Sequence, residues 1–391
     1  MKKTLFTFFV SMFLVFSSKS WAADDLSELK AMVQELVKQN QALSAKVKEL
    51  EEKLKAYEAS APAVAPESEE TALPKFSIEG SMRAGVVADS NEKGSDFGMP
   101  TVELAVSGSV NDWVSGSALI LYENPPFADD DNVFIDEAFI QLGNPEKYPV
   151  YAKAGEFYVP FGALLTHFPD DPLVDIPITL SFGEIREKAL LLGYEKAGLS
   201  ASFYVFNGDV EEEDDSDNHV EDFGFDLNYT YEDEARGLTA LFGLSYLSNL
   251  ADTDGLSDAV GEVIKDKEGG LALYGEITFG RFFMLGEYMT ALDDLETGDY
   301  KGEPAVWNVE AGVNCDRFIR PVEVVLKYAG SNNDAQKLEF AESRYGIAFN
   351  VELFENVGAS VGYFHDDFDR KLVDDDTRDV FLGQVEISFG L

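Results

Sequence analysis

The chain has 391 residues, and its 30 Lys and Arg face 73 Asp and Glu, which gives a formal net charge of −43. This acidity excludes a nucleic-acid partner, because phosphate backbones attract clustered Lys and Arg. A mean hydropathy of −0.12 excludes a bundle of membrane-spanning helices. A soluble acidic protein and an outer-membrane β-barrel remain open, since a barrel strand shows lipid at only every second residue.

Residues 1–22 have the pattern of a cleaved signal peptide. Lys2 and Lys3 precede the apolar run 5–16, and Ser20-Trp21-Ala22 forms a small-x-small cleavage site. An uncleaved membrane anchor is the alternative, but the apolar run is shorter than the roughly 20 residues of a spanning helix. We therefore expect export.

Residues 23–58 carry consecutive heptads with apolar residues at the a and d positions, which predicts a periplasmic coiled coil. A single amphipathic helix on a partner surface is the alternative. Asn40 occupies a central a position, where a polar residue fixes the register. The a and d residues favour a dimer, whereas porin barrels of the size predicted below are commonly trimers. We therefore expect a homo-oligomer that is either a dimer or a trimer. The predicted oligomerisation residues are Leu29, Val33, Leu36, Asn40, Leu43, Val47 and Leu50.

Residues 59–74 are rich in Ala, Pro and Glu, which indicates an extended linker. The predicted helix is thus a separate module that precedes the region beginning at Lys75. This arrangement raises one hypothesis in which the helix is a structural tether between the outer membrane and the cell wall.

From Lys75 to the end, the apolar period changes to two, as in Leu271, Leu273, Ile277 and Phe279. Seven short connections alternate with eight long ones, among them 86–99 and 365–378, which predicts about 16 antiparallel strands. Short periplasmic turns and long external loops are typical of transmembrane barrels of the Gram-negative outer membrane. The predicted fold is therefore an all-β transmembrane barrel over 75–391, preceded by the α-helical coiled coil and embedded in lipid and lipopolysaccharide.

The last strand closes with Phe389 and Leu391, which resembles the signal that the outer-membrane insertion machinery reads. That signal usually ends on an aromatic residue, and Phe389 stands two positions before the end. An ordinary final strand would show the same alternation.

The connection 162–186 is the longest and is predicted to fold into the barrel. A barrel of sixteen strands is wide enough for an aqueous channel, and charged side chains at a constriction set its potential. The alternative is that the charged residues of this connection form turns, because Asp-Asp-Pro is a sequence that favours turns. The candidates for the pore constriction are Asp170, Asp171, Asp175, Glu184 and Arg186.

Two acidic loops, 209–222 and 366–376, suggest either loop-bound divalent cations that cross-link lipopolysaccharide or a mouth that attracts cations. Neither has EF-hand spacing. His167, His219 and His365 lie in loops at spacings that do not link them as ligands, so we expect no resident cofactor or metal. The sequence shows no nucleophile–base motif, which indicates that the protein is not an enzyme.

The block from Gly155 to Tyr194 carries a family resemblance. Its segments YVPFG, DPL and GE resemble the pattern of LbtU-type siderophore porins, and the exported helix, linker and barrel extend the likeness over the mature chain. The resemblance implies passage of ferric siderophores without a TonB-coupled plug. This chain departs from the pattern by extra residues between Asp171-Pro172 and Ser181. A general or cation-preferring porin is the alternative, because the barrel region holds most of the acidic excess.

Overall fold

The computed structural model describes residues 75–127, 132–169, 177–213, 219–261, 263–298, 300–315, 320–369 and 376–390. The signal peptide, the coiled-coil residues and the linker predicted above lie outside these ranges, as does Leu391. Across the described ranges, no helix has the length and apolar character needed to cross a membrane.

Sixteen antiparallel strands close into one barrel, in which each strand pairs with its neighbour in the chain and the last pairs with the first. The predicted antiparallel barrel and its number of strands are confirmed. The barrel strands are β1 Lys75–Asp89, β2 Gly94–Asn111, β3 Val114–Glu123, β4 Asn132–Leu142, β5 Val150–Tyr158, β6 Arg186–Lys196, β7 Leu199–Phe206, β8 Asp222–Asp233, β9 Leu238–Leu247, β10 Gly270–Phe279, β11 Phe282–Ala291, β12 Ala305–Cys315, β13 Val322–Ser331, β14 Ser343–Phe354, β15 Val357–Asp367 and β16 Thr377–Gly390.

The strands alternate between an apolar outer face and a mixed inner face. In β6, Leu190 and Leu192 are about half exposed, whereas Ala189 and Leu191 point inward and are buried. Outward Leu, Phe and Tyr side chains recur around the barrel, which is the surface that hydrocarbon chains solvate. The polar and charged side chains of the strands therefore lie mainly on the inner face.

The first connection differs from its prediction. The β1–β2 ladder continues to the pair Asp89 and Gly94, so the long connection expected at 86–99 is wrong and only residues 90–93 turn. The last connection is also shorter than predicted, because β15 reaches Asp367 and β16 begins at Thr377. Backbone hydrogen bonds do not require apolar side chains, so the strands extend through polar segments that the hydropathy pattern assigned to loops.

The other connections contain short elements. They are α1 Ile178–Gly183, a 3₁₀ turn Leu250–Asp252, α2 Asp254–Val260, α3 Asn333–Gln336, the parallel pair Glu211–Glu212 with Val263–Ile264, and the antiparallel pair Leu295–Thr297 with Tyr300–Gly302. Val210, Ala251, Ile264 and Leu295 form a buried apolar cluster between them. The loops after β7, β9 and β11 therefore pack on one another.

Candidate functional site inside the barrel

The chain leaves the barrel wall where β5 ends. The Val159 N–H donates to the Ile185 carbonyl at 3.0 Å, and the Tyr204 hydroxyl donates to the Pro160 carbonyl at 3.0 Å. Gly162 then turns with φ +77°, a conformation that favours glycine. A Cβ at Gly162 would lie 2.6 Å from the Glu287 carboxylate, so the turn also needs the space that glycine leaves.

Residues 162–168, termed the seated segment, run along the inner face of β9 to β15. The N–H groups of Ala163 and Leu164 donate to Glu287 Oε1 of β11 at 2.7 and 3.1 Å. Glu310 of β12 accepts from the Thr166 hydroxyl at 2.5 Å and from the His167 N–H at 2.7 Å. Carboxylates that accept backbone N–H groups form charge-assisted hydrogen bonds, so the wall holds the loop by its main chain.

The far end of the seated segment is fixed by Phe168, which is 2% exposed. Its ring lies 2.9 Å from where a Cβ of Gly346 would stand and 3.0 Å from where one of Gly362 would stand. It also meets the Phe364 ring edge-on, at a centroid distance of 6.4 Å. Two glycines on β14 and β15 thus provide the recess for this ring.

His167 is the centre of the polar contacts. Its Nδ1 lies 3.2 Å from the Glu323 carboxylate of β13, and its Nε2 lies 3.3 Å from Glu276 of β10. The ring stacks on Phe283 with a centroid distance of 3.8 Å. Burial lowers the pKa of His167, but the hydrogen bonds and negative charges of Glu323 and Glu276 outweigh it, so that the pKa is raised. No pattern in the sequence indicated these contacts.

The second half of the connection is held by apolar packing. Ile178 and Phe182 of α1 and the following Ile185 are buried in a cluster with Phe161 and Met289. The ring of Phe182 also meets Phe340 at 5.6 Å. The connection is therefore fixed both before and after the residues that lie outside the described ranges.

Among the predicted constriction residues, Asp170, Asp171 and Asp175 lie outside the described ranges. Glu184 follows α1, and its carbonyl accepts the Asp254 N–H of α2 at 2.8 Å. Burial, followed by the negative charges of Asp254 and Asp136, raises the pKa of Glu184 to about 7. Arg186 begins β6 and lies 2.9 Å from Asp136. The structure thus brings Glu184 and Arg186 into one charged group with β4 and α2, and their role at a constriction stays a prediction.

The inner face of β16, β1 and β2 has a different character. Arg83 lies 3.0 Å from Glu103 and 3.4 Å from Glu386, and the Ser81 hydroxyl donates to Glu103 at 2.9 Å. These two carboxylates keep 33% and 38% of their side chains exposed. We term Ser81, Arg83, Glu103 and Glu386 the polar wall. Its two carboxylates are in contact with solvent, whereas Glu287 and Glu310, which hold the seated segment, are buried.

The sequence did not indicate which residues hold the loop. Glu276, Glu287, Glu310 and Glu323 are isolated acids at inward positions of otherwise apolar strands, a pattern that marks an inner face but names no partner. The partner is distant in the chain, since Thr166 and Glu310 are 144 residues apart. In the parts of the chain that are described, no group of three or more His, Cys, Asp or Glu is arranged to hold a metal ion.

The barrel is similar to solved outer-membrane channels. The channel DcaP of Acinetobacter baumannii aligns with a TM-score of 0.53 and 14% identity over 83% of this chain and 100% of that chain. The anion-selective porin of Comamonas acidovorans aligns with a TM-score of 0.51 and 10% identity over 81% of this chain and 100% of that chain. The chain therefore has the fold of the outer-membrane porins.

Two curated relatives are named UPF0422 proteins. The one from Coxiella burnetii is 27% identical over 267 residues, covering 66% of this chain and 56% of the relative. The one from Legionella pneumophila strain Lens is 22% identical over 297 residues, covering 69% and 54%. The chain thus spans about half the length of these relatives. No family model matches the sequence.

Proposed function

We propose that the protein is a diffusion porin of the Gram-negative outer membrane, with a preference for cations. A closed barrel of sixteen strands encloses room for water, and this one carries apolar side chains outside and charged side chains inside. The loop after β5 is packed against β9 to β15. The solvated polar wall lies on the other strands, and solutes would pass along it.

The observation that carries the cation preference is the charge of the inner face. Four of its cations lie against carboxylates: Arg83 against Glu103, Lys327 against Glu310, Arg344 against Asp366 and Arg378 against Asp89. A further one, Lys153, lies over the rings of Phe139 and Phe157. Further carboxylates have neutral donors as hydrogen-bond partners. Asp226 accepts from the hydroxyls of Ser245 and Tyr274, and Glu287 accepts from two loop N–H groups. An excess of fixed negative charge in a narrow space concentrates cations.

Reversal potentials in planar bilayers test this preference. Under a potassium chloride gradient, the wild-type protein is expected to select potassium over chloride. The double variant Glu103→Gln, Glu386→Gln is expected to lower that selectivity, whereas Glu303→Gln, an exposed loop residue, serves as the matched control. Chloride selectivity of the wild type would contradict the proposal.

Passage of ferric siderophores is the second candidate function. It is supported by the resemblance of the block Gly155 to Tyr194, which comprises the end of β5, the loop and most of β6. Uptake of a labelled ferric siderophore into proteoliposomes tests it, with an inert sugar of similar size as the control. Deleting the loop is unsuitable, because Phe182 and Ile178 belong to the buried core. Equal uptake of siderophore and sugar would overturn this candidate and leave the diffusion porin standing.

The tether hypothesis and the homo-oligomer concern residues 23–58, outside the described ranges. We propose that this segment sets the oligomer as a dimer or a trimer. Deleting residues 24–58 is expected to leave conductance intact while changing the crosslinked species. Conductance that disappears with the deletion would contradict a separate helical module.

A further inference from the structure

The geometry points to His167 as a positioning residue: a protonated clasp that holds the seated segment on the inner wall and so keeps the polar wall open to solutes. The inference rests on the proposed porin function for its effect on transport. The clasp itself is a property of the fold.

The clasp joins two strands that are not neighbours. Glu276 lies on β10 and Glu323 on β13, with β11 and β12 between them, and the His167 ring reaches both. A neutral imidazole has one N–H and one lone pair, whereas an imidazolium has two N–H groups. Only the protonated ring donates to both carboxylates at once.

The charges around the ring favour that protonated form. Glu276 and Glu323 face the two ring nitrogens of His167. Glu310 of β12 accepts a hydrogen bond from the backbone N–H of His167. Glu310 is neutralised by Lys327 at 2.7 Å. The remaining packed groups, Asn350 of β14 and the Phe283 ring, are uncharged. The clasp thus places one cation between two carboxylates that have no other cation in contact among the described residues.

Loss of the proton makes one of the two contacts between the His167 ring and the carboxylates unfavourable. One ring nitrogen then directs its lone pair at a carboxylate about 3.3 Å away, so that contact becomes repulsive. The Asn350 side chain donates to the His167 carbonyl at 2.7 Å, and the adjoining Phe168 fills its recess, so a displaced ring disturbs both.

The sign of the pH effect follows from the raised pKa of His167. The clasp is fully formed below the ordinary histidine pKa of about 6.5 and is lost as the pH rises through the higher pKa in the folded barrel. Above that point, each pH unit lowers the ratio of protonated to neutral ring about tenfold.

Single-channel recordings on the full chain provide the first test. The wild type is expected to carry a steady open current at pH 6 and to close more often as the pH rises. His167→Gln is expected to show frequent closures at every pH. His167→Arg, which keeps its charge, is expected to stay open across the range. His365→Gln is the matched control, because His365 also faces a carboxylate, Asp379, at an exposed position.

Hydrogen exchange gives a second readout that does not need conduction. The N–H groups of Ala163, Leu164 and His167 are bonded to wall carboxylates, so their protection reports whether the segment is seated. After correction for intrinsic rates, His167→Gln is expected to lose most of that protection at pH 6, and His167→Arg to retain it. Wild-type protection in His167→Gln would overturn the clasp. If the variants show the expected hydrogen exchange but the wild-type protein conducts no ions, the porin proposal is wrong and the clasp stands.

Discussion

Lys327 and Glu310 form an ion pair of 2.7 Å in which both side chains are fully buried. The same Glu310 carboxylate accepts from the Thr166 hydroxyl and from the His167 N–H. Lys327 therefore neutralises the residue that holds the middle of the seated segment. One buried pair links the stability of the wall between β12 and β13 to the position of the loop.

Lys327→Met is expected to destabilise the barrel by about 3–5 kcal/mol, because it leaves Glu310 buried without its cation. Lys337→Met is the control, since Lys337 is exposed and pairs with Asp334 at the surface, where a pair contributes about 0–1 kcal/mol. Urea unfolding in detergent micelles measures both. Equal stabilities of the two variants would show that the buried pair is dispensable.

Gly346→Ala is expected to displace Phe168, since the new Cβ would lie 2.9 Å from its ring. Overpacking of this kind costs about 1–3 kcal/mol. Gly358→Ala, at a strand position with open space for a Cβ, is the control. The expected signature is a lower unfolding midpoint for Gly346→Ala, together with loss of amide protection at His167. Unchanged protection would place Phe168 outside the mechanism that seats the loop.

The Glu184 carboxyl has a pKa raised to about 7 by burial and by Asp254 and Asp136. The folded state thus disfavours the ionised form, and the barrel is expected to become more stable as the pH falls from about 8 to 5. Glu184→Gln is expected to stabilise the barrel by about 1–3 kcal/mol at pH 8 and to have little effect at pH 4. Thermal unfolding followed at both pH values tests this, with the exposed Glu303→Gln as the control. A stabilisation that is equal at both pH values would contradict the argument.

Phe389→Ala tests the predicted assembly signal. The ring of Phe389 lies on the outer face, 47% exposed, and covers Gly80 of β1. We expect a lower yield of folded protein in the outer membrane, while refolding from urea proceeds. Phe381→Ala, at another outward position of β16 with 55% exposure, is the control. A similar loss of yield for both variants would indicate a general need for outward aromatic residues.

The barrel could be predicted because its two signals are local: an apolar period of two and the alternation of loop lengths. The extent of β1 and β2 could not, since Val86 to Asp89 pair with residues 94–97, where Gly, Ser and Asp interrupt the apolar pattern of β2. The loop's inward path followed from its length and position, but its anchors did not. His167 and Glu323 are 156 residues apart, and no spacing along the chain encodes a contact that only barrel closure creates.

The wall holds Ala163 and Leu164 through their N–H groups, and Asn308 reaches the Leu165 carbonyl at 3.4 Å. These contacts do not involve the side chains of the three residues. Mutations of Ala163 and Leu165 can therefore alter the interior surface without redirecting the loop, whereas the Leu164 side chain also packs against the buried core. The same property suits these positions to single-cysteine labelling, where a probe would report on the lumen from a fixed backbone.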